Sequence, residues 1–251
     1  MSKNVWITGA SSGIGKALAI KFAREGWQVA ASARRENLLK DLSIQNPNIH
    51  PFSLDVKNED ETKNIFQNII KKFETIDMAV FCTGIHDPDS EKKLSSEKIR
   101  EIMETNFFGT LNCIMAVNTY FREKKNGHIS IVSSVAGYRG LPAASGYCAS
   151  KSALTSLAES LYFDFKRHNV RVSLVSPGFI KTPMTDKNKF PMPMIKSPEI
   201  AAEKMFIGLT KKNSFEIHFP ITFTLGMKLL KIMPNWLYFL LVKKGMKTIK
   251  Y

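Results

Sequence analysis

VWITGASSGIGKALAIKFAREG, residues 5–26, changes rhythm twice. Val5-Trp6-Ile7 is a short apolar run that ends in Thr8-Gly9-Ala10-Ser11-Ser12-Gly13-Ile14-Gly15, after which Ala17, Leu18, Ile20, Phe22 and Ala23 resume with helical periodicity up to Gly26. The stretch reads as strand, glycine turn and helix. Glycines at 9, 13 and 15 allow close backbone approach and tight strand–helix packing. The N–H groups left unpaired at a helix start suit a pyrophosphate. A second strand, 28–32, follows directly, so the turn is read as a dinucleotide site with Gly9, Ser11, Ser12, Gly13, Ile14 and Gly15 as candidate contacts.

After that second strand, a dinucleotide site needs a carboxylate to grip the adenosine ribose hydroxyl or a cation to accept a 2′-phosphate. This chain has Ala33-Arg34-Arg35. Two guanidiniums and no carboxylate predict a preference for NADP(H) over NAD(H) through Arg34 and Arg35.

Strands and helices go on alternating. A strand over 49–54 ends at Asp55-Val56, a helix covers about 59–73, and a strand over 77–82 closes on Thr83-Gly84. A polar loop, His86 to Ser95, leads to one long helical pattern through Ile99, Ile102, Met103, Phe107, Leu111, Ile114 and Phe121, with Asn106 inside it. A strand over 129–132 delivers Ser133-Ser134, a helix covers about 145–168, and a strand over 170–175 ends in Ser176-Pro177-Gly178. A seventh strand is expected near 215–219. This alternation predicts an α/β fold with a doubly wound, mostly parallel sheet of about seven strands, and 251 residues suit one domain.

Tyr147 and Lys151 are four apart, hence one turn apart on one helix face. An ammonium beside a phenol favours the phenolate and draws its reference pKa of about 10 toward the working pH. That makes the tyrosine a usable proton donor and acceptor. Ser134 precedes it by thirteen residues.

The net charge of +14 suits a phosphorylated cofactor, an anionic membrane surface or an acidic carrier protein. With no zinc-finger spacing and no arginine-rich block, nucleic acid is not expected as a partner. Cys82, Cys113 and Cys148 are far apart, with no Cys-x-x-Cys, which argues for a reducing compartment. The five histidines form no His-x-x-x-His pair, so no metal is predicted. The first residues run straight into a strand pattern without a secretory h-region, and a cytoplasmic location is expected.

Taken in order, these segments closely resemble the short-chain dehydrogenase/reductase family over roughly residues 3–219. Matching motifs are TGASSGIG at 8–15, Asp55, NFFGT with Asn106, the serine of SSVAG, Tyr-x-x-x-Lys at 147–151 and PGFIKT at 177–182. The resemblance implies a Rossmann-type domain and hydride transfer between NADP(H) and a carbonyl or secondary alcohol. It implies that Tyr147 exchanges the proton, Ser134 hydrogen-bonds the reacting oxygen, Lys151 depresses the tyrosine pKa and holds the nicotinamide ribose, and Asn106 anchors a water. Ile180 and Thr182, beside Pro177 and Gly178, are expected at the carboxamide, and Asp55 with Val56 at the adenine. Dimers or tetramers formed through two long helices are expected on the same ground. One motif departs: Phe81-Cys82-Thr83-Gly84 stands where the family commonly has Asn-Asn-Ala-Gly, so the bonds that brace the sheet there must come from elsewhere or from Thr83.

The loop PMTDKNKFPMPMIKSPE after Thr182 carries Met184, Met192 and Met194, and predicts an accommodating apolar pocket completed by Tyr138, Leu141, Pro142 and Phe179. Residues 220–251 form a C-terminal extension beyond the expected last strand, with six lysines (228, 231, 243, 244, 247, 250) and no acidic residue. Its longest apolar run, 236–242, is far short of the ~20 residues needed to span a bilayer. Two readings stand: an interfacial anchor that holds the protein peripherally on the inner face of a membrane, and a segment that contacts another subunit or covers the pocket. A hydrophobic, lipid-like carbonyl or alcohol is the expected substrate. A 3-oxoacyl carrier-protein reductase is the alternative enzyme, and a non-catalytic NADP-binding sensor or scaffold is the alternative of another class.

Overall fold

A computed structural model of the chain describes residues 2–88, 93–188 and 190–246. Positions 89–92 of the loop expected at His86–Ser95, and Lys247, Lys250 and Tyr251 of the extension, lie outside the described residues.

Strand β1 (Asn4–Thr8) alternates its side chains across the sheet. Val5 and Ile7 enter one core, and Trp6 enters the other, where it stacks on Phe66 and meets Phe81 edge-on. The sheet is completed by β2 (Gln28–Ala33), β3 (Ile49–Ser53), β4 (Met78–Phe81), β5 (Gly127–Val132), β6 (Val170–Pro177) and β7 (Glu216–Phe219). All seven strands are parallel, in the order β3-β2-β1-β4-β5-β6-β7. Helices α1 (Gly13–Arg24), α2 (Glu36–Gln45) and α7 (Pro198–Thr210) bury Leu18, Phe22, Leu39, Leu42, Met205 and Phe206 on one face. Helices α3 (Glu59–Phe73), α5 (Gly109–Lys124) and α6 (Ser145–Lys166) bury Phe66, Ile69, Val117, Phe121, Leu154 and Phe165 on the other. This is the doubly wound arrangement, and the strand order reverses between β1 and β4, where a crevice opens at the carboxyl ends of the strands.

The single long helix expected through Asn106 is three pieces: α4 (Ser96–Met103), a π-helical turn (Glu104–Phe108), and α5. A π-turn admits one extra residue without breaking the apolar stripe, so the periodicity does not reveal it, and such turns cluster at functional sites. The extension forms α8 (Ile221–Ile232) and α9 (Asn235–Met246). No helix among the described residues is long and apolar enough to cross a membrane.

Candidate functional site

The turn after β1 is shaped by contact. Gly9 has φ +69°, and a Cβ on it would lie 2.9 Å from the Cys82 carbonyl carbon and oxygen. A Cβ on Gly15 would lie 2.3 Å from the Gly9 oxygen, so α1 can start hard against the turn only with glycine there. The brace between β1 and the end of β4 comes from Thr8, whose Oγ1 accepts the Cys82 N–H at 3.2 Å. This answers the departure noted at Phe81–Gly84, with Thr8 in the bracing role considered for Thr83. Ser12 is the N-cap residue of α1, yet no side chain caps the helix. Instead Arg35 donates to Ser12 Oγ at 2.7 Å and to Ser11 Oγ at 2.9 Å, which lays its guanidinium across the turn.

A cavity of about 410 Å³ runs from Arg34 and Arg35 past the glycine turn to Tyr147 and Lys151. Each residue expected to contact the cofactor lines it: Gly9, Ser11, Ser12, Gly13, Ile14 and Gly15 on the turn, Arg34, Arg35, Asp55 and Val56 at one end, Thr83 and Gly84 after β4, Tyr147 and Lys151 on α6, and Pro177, Gly178, Ile180 and Thr182 after β6. A cradle closed by missing Cβ atoms, an uncapped helix start and a fixed guanidinium fit a phosphorylated dinucleotide. Among the described residues no group of three or more His, Cys, Asp or Glu side chains is placed to hold a metal ion.

Ser134 leaves β5 in extended conformation and accepts the Ala136 N–H at 3.1 Å, so its hydroxyl is held at the strand end. Lys151 is buried on α6, and its Nζ donates to the Val132 carbonyl at 2.9 Å and lies 5.7 Å from the centroid of the Tyr147 ring. Burial pushes the Lys151 ammonium down to about 8, slightly offset by Cys82. The Cys82 thiol is itself pushed up to about 12 by burial, against the opposing pull of Lys151, and stays protonated.

Asn106 does not line the cavity. It is fully buried in the π-turn, where its amide accepts the Ile85 N–H at 2.7 Å and donates to the Ile85 carbonyl and Ser150 Oγ at 3.0 Å. Its side chain ties the segment after β4 to α6, and leaves no amide hydrogen aimed at the cavity. In this structure its side-chain contacts are with Ile85 and Ser150 and not with the cavity expected to hold the water.

A second cavity, of about 320 Å³, adjoins the first and shares Ser134, Tyr147, Gly178, Met184 and Thr185 with it. Leu141, Pro142, Phe179 and Met184 line it as expected. Tyr138, Met192 and Met194 are not among its walls: Tyr138 donates to Glu216 Oε1 from behind, the Met192 sulfur accepts from Asn188, and Met194 is half exposed. Their places are taken by Phe190, and by Phe223, Met227 and Val242 from the extension. His86, expected only as loop, also lines this pocket and sets its ring 4.6 Å from that of Tyr147. Its position two residues after Gly84, at the carboxyl end of a strand, is the signal that could have singled it out.

The extension is fixed to the pocket loop. Arg139 donates to the Leu230 carbonyl at 2.6 Å and the Met233 carbonyl at 2.7 Å, closing the C-terminus of α8, and stacks 4.0 Å over Tyr238, whose hydroxyl donates to the Gly140 carbonyl. Lys228 meets Glu216 at 2.5 Å. Burial alone would raise the Glu216 carboxyl, but hydrogen bonds from Lys228, Ser176 and Tyr138 outweigh it and hold the group below its ordinary range.

Comparison with known proteins gives a consistent picture. A family model described as short chain dehydrogenase matches residues 3–191. An uncharacterized oxidoreductase of Myxococcus xanthus is 34% identical over 236 residues, covering 92% of this chain and 93% of that protein. The 3-oxoacyl-(acyl-carrier-protein) reductase FabG of Thermotoga maritima is 31% identical over 223 residues, covering 83% of this chain and 91% of that protein. A short-chain dehydrogenase from Streptomyces avermitilis shares the fold over 100% of both chains, with a TM-score of 0.83 at 22% identity. The structure of ElxO with NADP bound matches 87% of this chain and 98% of that one, with a TM-score of 0.76 at 26% identity.

Proposed function

Because the chain belongs to the short-chain dehydrogenase family and is an oxidoreductase, we propose that it transfers a hydride between NADP(H) and the carbonyl or secondary alcohol of a hydrophobic, lipid-like substrate. The observation that carries this reading is the junction of the two cavities: Ser134 and Tyr147 line both the polar, glycine-walled one and the apolar one. A reacting carbonyl at that junction would have both side chains beside it.

The dinucleotide, when bound, supplies the hydride. The chain supplies the rest. Tyr147 gives its proton to the carbonyl oxygen in reduction and removes it from the alcohol in oxidation. Ser134 donates to the same oxygen as charge develops on it. Lys151, held by the Val132 carbonyl and lining the cavity, keeps a positive charge beside the phenol and would hold the nicotinamide ribose. Asn106 fixes the Ile85 backbone and Ser150 behind them. Arg35 and Arg34 favour the 2′-phosphate, and NADP bound to ElxO supports that preference. Exposed Phe108, Met115 and Phe163 on the π-turn, α5 and α6 support a homodimer or tetramer built on those helices.

NADPH oxidation over ketones of graded chain length tests the reading. Turnover should rise with chain length, and Tyr147→Phe should abolish it while NADPH still binds. Absence of turnover on any ketone would favour a non-catalytic NADP-binding sensor. The FabG relative favours one second reading, reduction of 3-oxoacyl groups on an acidic carrier protein by this basic surface. Higher activity on carrier-linked than on free ketones would select it.

A further inference from the structure

Helix α8 is apolar on two opposite sides. Phe223, Met227 and Leu230 face inward with Val135, Tyr138 and Leu141, and the first two wall the apolar pocket. On the outside, Ile221, Leu225, Leu229 and Ile232 fall at helical spacing in one stripe and are 62%, 54%, 54% and 77% exposed. A helix with two apolar sides is suited to burial on both, and among the described residues this one has protein on one side only. Helix α9, which follows α8 directly, exposes Trp236, Phe239 and Leu240, and Lys231, Lys243 and Lys244 of the same two helices are exposed as well.

Charge narrows the choice of what covers this face. No acidic residue occurs anywhere from Pro220 to Tyr251. A second copy applied to the same stripe in a two-fold contact would set lysines against lysines. An anionic bilayer offers an acyl layer for the aliphatic stripe, an interfacial zone for Trp236 and negative head groups for the lysines. The same helix that shows this stripe to the outside forms the pocket wall on its inner side, and Val242 of α9 closes the pocket beside it.

We propose that the outer face of α8 and α9 lies on an anionic bilayer surface and that the apolar pocket is filled from that surface by a lipid-dissolved substrate. The second half rests on the reading of the pocket given above; the first does not. Arg139 and Tyr238 hold the two helices on the loop before α6, so the bilayer contact and the pocket wall belong to one piece.

The test is flotation of the full chain with vesicles of phosphatidylcholine alone or with an equal part of phosphatidylglycerol. The wild type should float with the anionic vesicles and weakly with the neutral ones. Leu225→Glu with Leu229→Glu, both outside the pocket, should lower anionic-vesicle binding by about tenfold or more. Lys231→Ala with Lys243→Ala and Lys244→Ala, all exposed, should lower binding to the anionic vesicles by a similar factor, about tenfold. Wild type left in the soluble fraction with both vesicles overturns the proposal. So does loss of an oligomer in sedimentation of the leucine variant without any vesicle binding by the wild type, which assigns the stripe to a subunit contact. Flotation needs neither cofactor nor ketone, so floating protein without ketone turnover rejects only the substrate reading.

Discussion

The Lys151 ammonium is buried 5.7 Å from the centroid of the Tyr147 ring, and its hydrogen bond to the Val132 carbonyl does not offset its desolvation. Burial pushes Lys151 from an ordinary 10.5 down to about 8. Below pH 8 the folded and unfolded chains both carry the proton, and the full penalty of burying the charge is present. Between about 8 and 10.5 only the unfolded chain holds it, so raising the pH through that window relieves the penalty, by up to about 3 kcal/mol. Urea unfolding of the cofactor-free protein should therefore show wild-type stability gaining on Lys151→Met as the pH rises from 8 to 10. A difference between the two proteins that stays flat over that range would show that Lys151 is not desolvated in this way.

Arg35 is held across the glycine turn by Ser11 and Ser12. A guanidinium fixed by neutral hydroxyls keeps its charge unsatisfied for an anion. Arg35→Ala should raise the KM for NADPH by about 10- to 100-fold, the range for a lost charge-assisted hydrogen bond, with little effect on NADH. Steady-state kinetics with both cofactors measure the ratio; equal losses for both would assign Arg35 to holding the turn and not to the 2′-phosphate.

The extension depends on Arg139, which caps α8 and stacks on Tyr238. Arg139→Ala leaves the carbonyls of Leu230 and Met233 without their donor and should destabilise the α8–α9 unit by about 2 kcal/mol. Limited proteolysis should then cut first between 220 and 246, and the KM for long-chain ketones should rise more than that for short ones. Unchanged cleavage and kinetics would mean that the packing of Phe223 and Met227, with the Lys228–Glu216 pair and the Tyr238 bond to Gly140, holds the unit without Arg139.

The glycine turn, the strand ends and Tyr147–Lys151 were legible because each rests on local chemistry that repeats along the chain: a residue without Cβ, a strand period of two, a one-turn spacing. The glycine-turn contacts and Arg34 and Arg35 lie on one cavity for this reason, and the contacts at Asp55, Val56, Ile180 and Thr182, which the family resemblance implied, line the same cavity. What was not legible is long-range. Asn106 is neutral within a helical pattern and was named only through the family resemblance; the π-turn and the approach of Ile85 and Ser150 give its amide partners. Tyr138 looked like pocket lining, but Glu216, distant in sequence, draws its hydroxyl away. Phe223, Met227 and Val242 stand in its place because α8 folds back over the loop; a pocket-covering segment was one of the two readings of 220–251, but which of its side chains reach the pocket is set by packing that its composition does not encode.

His86 is the least anticipated member of the site. Its ring lies 4.6 Å from that of Tyr147 at an interplanar angle of 38°, on the pocket side, so it buttresses the phenol against rotation. Aromatic pairs of this kind contribute about 0.5–1.5 kcal/mol. His86→Ala should therefore lower kcat by about 2- to 10-fold with NADPH affinity unchanged, and His86→Phe, which keeps a ring there, should recover most of the loss. A buttress also predicts that the pH–rate profile keeps its shape in His86→Phe. If phenylalanine fails to rescue, or the profile loses a limb, the imidazole takes part in proton movement, and the role given to Tyr147 alone would have to be shared.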